Sequence, residues 1–167
     1  MPEILLGQAY YLRFDAKLWQ AQQPYPPLGT LYAASYLRER GRSVALFDAM
    51  LAESVGEWAV ALDRERPLLA VIYEDSFNYL SKMCLLRMRE AALEMIDLAR
   101  DRGCPVVVSG SDATDHPDLY LARGAAAVIL GEGEITLADV ADRVLAGAAV
   151  AGVPGIAYLD DAKAVQK

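Results

Sequence analysis

The chain has 167 residues, enough for one domain with a sizeable core and too few for two full ones. Apolar residues make up 54% and charged residues 23%, with mean hydropathy +0.17, a globular balance that excludes disorder, fibrous repeats and coiled coil. Sixteen Lys and Arg against 23 Asp and Glu leave a net charge of −7, the wrong sign for phosphate binding by a basic face, so no nucleic acid partner is expected.

A domain of this size buries roughly 70% of the surface its unfolded chain exposes and needs no staples. No apolar run reaches the ~18 residues of a membrane span, and the expectation is a cytoplasmic protein. Two widely spaced cysteines, Cys84 and Cys104, cannot make a four-thiolate zinc site and are expected to be buried as small hydrophobes. A single histidine, His116, excludes a multi-histidine metal site, and no protein-held metal is expected.

Short apolar runs alternate with longer amphipathic stretches. Residues 3–7 (EILLG) read as a first strand, followed by a long loop ending in Pro24-Tyr25-Pro26-Pro27. Proline suits the first turn of a helix, where its missing N–H costs nothing, and a helix is predicted over residues 28–40 with Gly41 as its left-handed stop. A second strand spans 43–47, a second helix about 53–64, and the unbroken apolar run 68–73 reads as a strand buried on both faces. A loop at 74–80 leads to a long helix with Leu85, Met88, Ala92, Met95 and Ala99 at spacings of three and four. Residues 105–108 form a fourth strand, 117–122 a short helix and 126–130 a fifth strand. A last helix starts near Glu134, with Leu137, Val140, Ala141 and Val144 on one face. From Gly147 onward the pattern is loop, with a short extended piece at 156–159.

Buried strands separated by helices imply right-handed crossovers. The predicted fold is therefore α/β, a three-layer doubly wound (flavodoxin- or Rossmann-like) five-stranded parallel sheet. Ligands of such sheets bind outside the carboxyl ends of the strands, at the switch in strand order. Residues 7–27, 73–80, 109–116 and 131–134 lie at that edge. Eight aromatics fall in the first two of these segments: Tyr10, Tyr11, Phe14, Trp19, Tyr25, Tyr73, Phe77 and Tyr79. They either pack the loops down or present a surface to a large flat ligand or a second domain. Ser109-Gly110-Ser111-Asp112 and Gly131-Glu132-Gly133-Glu134 are turns poor in side chains, the second opening a helix. As a dinucleotide fingerprint the second fails, since it follows the last strand and lacks a third glycine. The acidic pair of a phosphoacceptor, a phosphate loop and the late histidine of a serine hydrolase are all missing. An enzyme built on Asp75, Asp112 and Asp115 lacks a partner base, and no catalytic residue is assigned.

Read in order, several blocks resemble the cobalamin (B12)-binding domain that precedes the catalytic barrel in B12-dependent radical SAM enzymes. They are PPLGTLYAASYLRERG at 26–41 with VALFDA at 44–49, PVVVSG at 105–110, AAVILGEGEITL at 126–137 and VPGIAY at 153–158. Where that family carries two glycines, a proline and a histidine after strand four, this chain has Ser109 for the first glycine, Ser111 for the proline and Asp112 for the histidine. The resemblance implies a cobalamin-binding module, residues 1–147, not catalytic by itself. Residues 148–167 would form an exit segment toward a radical SAM barrel missing from this chain, and a 4Fe–4S cluster and S-adenosylmethionine would belong to that barrel alone. It implies a crevice for the cofactor's nucleotide tail lined by Ser76, Ser109, Gly110, Ser111, Gly131 and Gly133, with Glu132 also at the cofactor and the loops carrying Tyr73, Phe77 and Tyr10 offering the corrin a platform. Residues 7–27 contain no histidine, so cobalt would receive no imidazole from that loop. The alternative is a cofactor-free interaction or regulatory domain that keeps the fold.

Overall fold

The computed structural model describes residues 1–74 and 85–167. Strand β1 (Ile4–Gly7) leads through a loop and helix α1 (Ala16–Ala21) to α2 (Leu28–Glu39), then β2 (Val44–Phe47), α3 (Gly56–Glu65) and β3 (Leu69–Tyr73). The second half runs α4 (Leu85–Arg100), β4 (Val106–Ser109), α5 (Ser111–Asp115), α6 (Pro117–Arg123), β5 (Ala127–Ile129), α7 (Glu134–Leu145), β6 (Ile156–Leu159) and β7 (Val165–Gln166).

The strands form a seven-stranded sheet in the order β2-β1-β3-β4-β5-β6-β7. The first five are parallel, in a register that sets Leu5 beside Ala45 and Ala70, and Val108 beside Val128. The expected parallel core is present, but a sheet of five strands is too small. Strand β6 pairs antiparallel with β5, and β7 antiparallel with β6, so the sheet is mixed. The reason is the path after α7. Residues 146–155 climb back across the sheet without forming a helix and deliver Gly155 to the end of β5, where its carbonyl accepts the Leu130 N–H at 2.8 Å. The chain can then only descend, against β5. The β6–β7 turn is held by Asp160, whose carboxylate accepts the N–H groups of Ala162 and Ala164.

Side chains of successive strand residues point to opposite faces, which divides the core in two. On one face Leu5, Ala70, Ile72, Val106, Val108 and Val128 meet Trp58 and Leu62 of α3, Met95 and Ile96 of α4, and Leu121 of α6. On the other, Ile4, Leu6, Val71, Tyr73, Val107 and Ile129 meet Ala33, Ala34 and Leu37 of α2 and Leu137, Val140 and Ala141 of α7. The alanines at 33 and 34 let α2 lie close to the sheet. Helix α2 follows Pro27 as expected, and Gly41, at φ +83°, lets the Arg42 N–H return to the Leu37 carbonyl at 3.0 Å. Helices α1 and α5 stand where loop was expected. They are too short to carry a periodic apolar stripe, and α1 is set by Asp15, whose side chain accepts the N–H groups of Lys17 and Leu18, each at 3.0 Å.

Candidate functional site

The order 2-1-3-4-5 places the switch between β1 and β3, so the crevice expected in such a sheet opens at the ends of these strands. Gly7 ends β1 in a tight place: a Cβ would stand 3.1 Å from the Phe47 carbonyl oxygen and from the Trp58 ring, so a side chain there would press on both. The chain then turns over β3, where the Ala9 N–H donates to Glu74 Oε1 at 2.8 Å. Buried Gln8 closes the turn, accepting the Tyr10 N–H and donating to Asp48. Glu74 also donates its own N–H to the Ser109 carbonyl at 2.8 Å, so this one residue ties β1, β3 and β4 together at the switch.

Three of the expected site residues converge. Tyr73, 6% exposed, ends β3 with its ring on the face covered by α2 and α7. Ser109 stands beside it across the β3–β4 pair, and the Ser109 Oγ lies 3.4 Å from where a Cβ on Gly133 would stand. Burial, then the nearby Glu134 charge, pushes the phenol well above its ordinary pKa, so it stays protonated. The Tyr73 carbonyl accepts the hydroxyl of buried Thr30 at 2.8 Å, tying α2 to the same corner.

The glycines divide by what surrounds them. At Gly110 (φ +154°) a Cβ would lie 2.6 Å from the Glu74 Cβ, and at Gly133 2.5 Å from Ile129 Cγ2, so both are empty because neighbours already fill the space. Gly131 (φ +78°) faces open space, with its N–H on Thr114 Oγ1 at 3.1 Å. Glu132 is exposed beside it, and Ser111 is half-buried at the start of α5. The rim of the crevice is therefore side-chain-poor, while its inner end holds the Tyr73 ring and Glu74. Ser76, Phe77, Tyr79, Asp75 and Cys84 lie outside the described residues.

The platform expected of Tyr10 is not there. Tyr10 is 3% exposed and packs with Leu12, Met50 and Met88, its ring 5.8 Å from that of Tyr25. Tyr11 is equally buried, against Phe14 and Phe47. A long loop over a sheet edge must bury apolar surface to hold one conformation, and these aromatics supply it. Of the aromatics in this loop Trp19 is the exposed one, under the Arg13 guanidinium, while Phe14 and Tyr25 are half-buried.

Sequence reading missed a polar network behind the Gly110 turn. Asp112 accepts Arg89 Nε at 2.8 Å, Arg89 Nη2 at 2.5 Å and the Tyr120 hydroxyl at 2.6 Å, joining α4, α5 and α6. Burial alone would raise the Asp112 pKa, but these hydrogen bonds and the guanidinium charge together outweigh it and hold the carboxyl below its usual range. Its partners are 23 residues before and 8 after it, so no local spacing signals the contact. Glu74 had one signal, an acidic residue directly after a buried strand. His116 is exposed between α5 and α6, and Cys104 is buried at the opposite edge of the sheet, its thiol pushed up to about 11 by burial. Among the described residues no three of His, Cys, Asp or Glu gather as metal ligands, and no helix is long and apolar enough to cross a membrane.

Comparisons with known proteins fit this geometry. No curated protein sequence matches the chain. Among solved structures, the cobalamin-dependent S-adenosylmethionine radical enzyme OxsB, with aqua-cobalamin and S-adenosylmethionine bound, superposes with TM-score 0.76 at 20% identity, over 99% of this chain and 22% of its own. The radical S-adenosylmethionine methyltransferase TsrM from Kitasatospora setae, with cobalamin and a [4Fe–4S] cluster bound, gives TM-score 0.71 at 19% identity, over 98% of this chain and 30% of its own. At such identities the likeness is one of fold, and the chain spans under a third of either enzyme. The family model for the B12 binding domain matches residues 18–141, from α1 through most of α7. The chain belongs to the B12-binding domain family.

Proposed function

We propose that the chain is the cobalamin-binding module of a B12-dependent radical SAM enzyme of methyltransferase or cyclase type, without catalytic activity of its own. One observation carries this: the family match, residues 18–141, runs through β2, β3, β4 and β5 of the parallel core and includes both side-chain-poor turns, at Gly110 and Gly131, that follow β4 and β5. Gly110, Ser111, Gly131 and Glu132 would border the corrin, with Tyr73, Ser109 and Gly133 at the inner end of the crevice. The bound corrinoid supplies the cobalt chemistry. This chain's residues supply a rigid edge on which the ring lies, backbone N–H groups that orient its amide side chains, and walls that exclude water. Residues 148–167 carry β6 and β7 and would lead toward the radical SAM domain, where the iron–sulfur cluster and S-adenosylmethionine are bound.

A titration with hydroxocobalamin tests this. Saturable changes in the visible bands, weakened at least tenfold by Gly131→Val at the open rim, support it; unchanged spectra at high micromolar protein refute it. A cofactor-free interaction domain is the second reading, favoured by Leu28, Leu31 and Tyr32, which α2 exposes at spacings of three and four. Concentration-dependent self-association abolished by Tyr32→Glu, with no corrinoid bound, would select it.

A further inference from the structure

Helix α5 lies between the two turns poor in side chains, and one of its residues is bonded to both. The Thr114 N–H donates to the Gly110 carbonyl at 2.9 Å, and Thr114 Oγ1 accepts the Gly131 N–H at 3.1 Å. The second bond spans 17 residues and joins the turn after β4 to the turn after β5. Gly131 needs such a tie. It adopts φ +78°, and apart from its chain neighbours nothing lies within 4 Å of where a Cβ would stand, so packing there does not fix its course.

Helix α5 is itself firmly held. Ala113 is fully buried, and Asp112 binds Arg89 of α4 and Tyr120 of α6 through three hydrogen bonds. A helix of five residues is too short to be stable by itself, so these anchors are what make it a fixed post. Thr114 carries that rigidity across to the β5 turn. Its branched Cβ restricts the rotation that aims Oγ1, so the acceptor is set before a ligand arrives. A turn already ordered spares the ligand the cost of ordering it on binding. The bond is exposed, and water can replace either partner when the protein is alone, so its contribution to folding is small. Its effect falls on the shape of the rim.

Resting on the corrinoid-binding reading above, we infer that Thr114 is a positioning residue for the corrinoid: acting through Gly131, its hydroxyl locks the turn after β5 to the turn after β4 at the spacing the ring requires.

The test uses hydroxocobalamin, followed by visible absorbance, on the full chain as wild type, Thr114→Val and Thr114→Ser. Thermal unfolding and the exchange rate of the Gly131 amide, read by amide-resolved NMR, are measured on each protein without corrinoid. Valine keeps the shape of threonine and lacks the acceptor. The expected valine variant unfolds within about 2 °C of wild type, exchanges the Gly131 amide faster and binds hydroxocobalamin about fivefold more weakly. Thr114→Ser restores the acceptor and returns the Kd to within about twofold of wild type. A valine variant that binds as tightly as wild type, or whose Gly131 exchange is unchanged, overturns the inference and leaves the corrinoid reading intact. So does a serine variant as weak as valine, or a midpoint that falls together with affinity, since Thr114 is then only a structural prop. Unchanged spectra of the wild type at high micromolar protein overturn the corrinoid reading itself, and this role with it.

Discussion

Replacing Asp112 by alanine probes the network that fixes the Gly110 turn. The carboxylate accepts two hydrogen bonds from Arg89 and one from Tyr120, and the side chains of the ion pair are only 19% and 11% exposed. Removing one partner of a buried pair costs roughly 3–5 kcal/mol. Arg89 keeps some access to water, which moves the cost to the lower end of that range, whereas the buried Tyr120 hydroxyl loses its acceptor for about 1 kcal/mol more. The expected loss at pH 7 is about 4 kcal/mol, and at roughly 2–4 °C per kcal/mol for a domain of this size the midpoint falls by about 8–16 °C. Urea unfolding and calorimetry measure both. The pH dependence has a defined sign. The folded-state pKa of Asp112 is depressed, so its contribution is present above the unfolded value near ~4 and is lost as pH falls through the folded one. The gap between wild type and variant therefore narrows on acidification below pH ~4. The double variant Asp112→Leu with Arg89→Met recovers most of the loss, because no charge is then left buried alone. A loss under 0.5 kcal/mol at pH 7, or a gap that persists in acid, refutes the reasoning.

Three further outcomes are expected. Gly133→Ala sets a methyl 2.5 Å from buried Ile129 Cγ2, so overpacking costs about 1–3 kcal/mol, and adding Ile129→Ala, which removes the obstructing atom, makes the two changes less than additive in urea unfolding. Trp58→Phe leaves the Met95 carbonyl without the indole N–H now 3.1 Å away and opens space in the larger core, lowering stability by about 1–3 kcal/mol; a shift within 0.3 kcal/mol contradicts this. Cys104, buried with its thiol pushed up to about 11, resists iodoacetamide at pH 8 in the native protein and reacts in urea, read from the mass of its own peptide; rapid native labelling would contradict the burial.

What the linear chain determined on its own is the alternation that builds the parallel core. Runs such as residues 69–73 are apolar at every position because both faces are covered, and the following stretches are apolar every third or fourth residue because only one side is. Its two small-residue turns also marked the edge at the carboxyl ends of the parallel strands, where a ligand is expected. Tertiary structure alone decided what fills that edge. Residue type shows that Gly110 and Gly133 lack side chains, but only packing shows that Glu74 and Ile129 use the vacated space. The inward turn of Tyr10 and Tyr11, the union of Asp112 with Arg89 and Tyr120, and the antiparallel return of β6 depend likewise on residues distant in sequence. Periodicity records whether a position is covered; which atom covers it is settled when strands and helices close on one another.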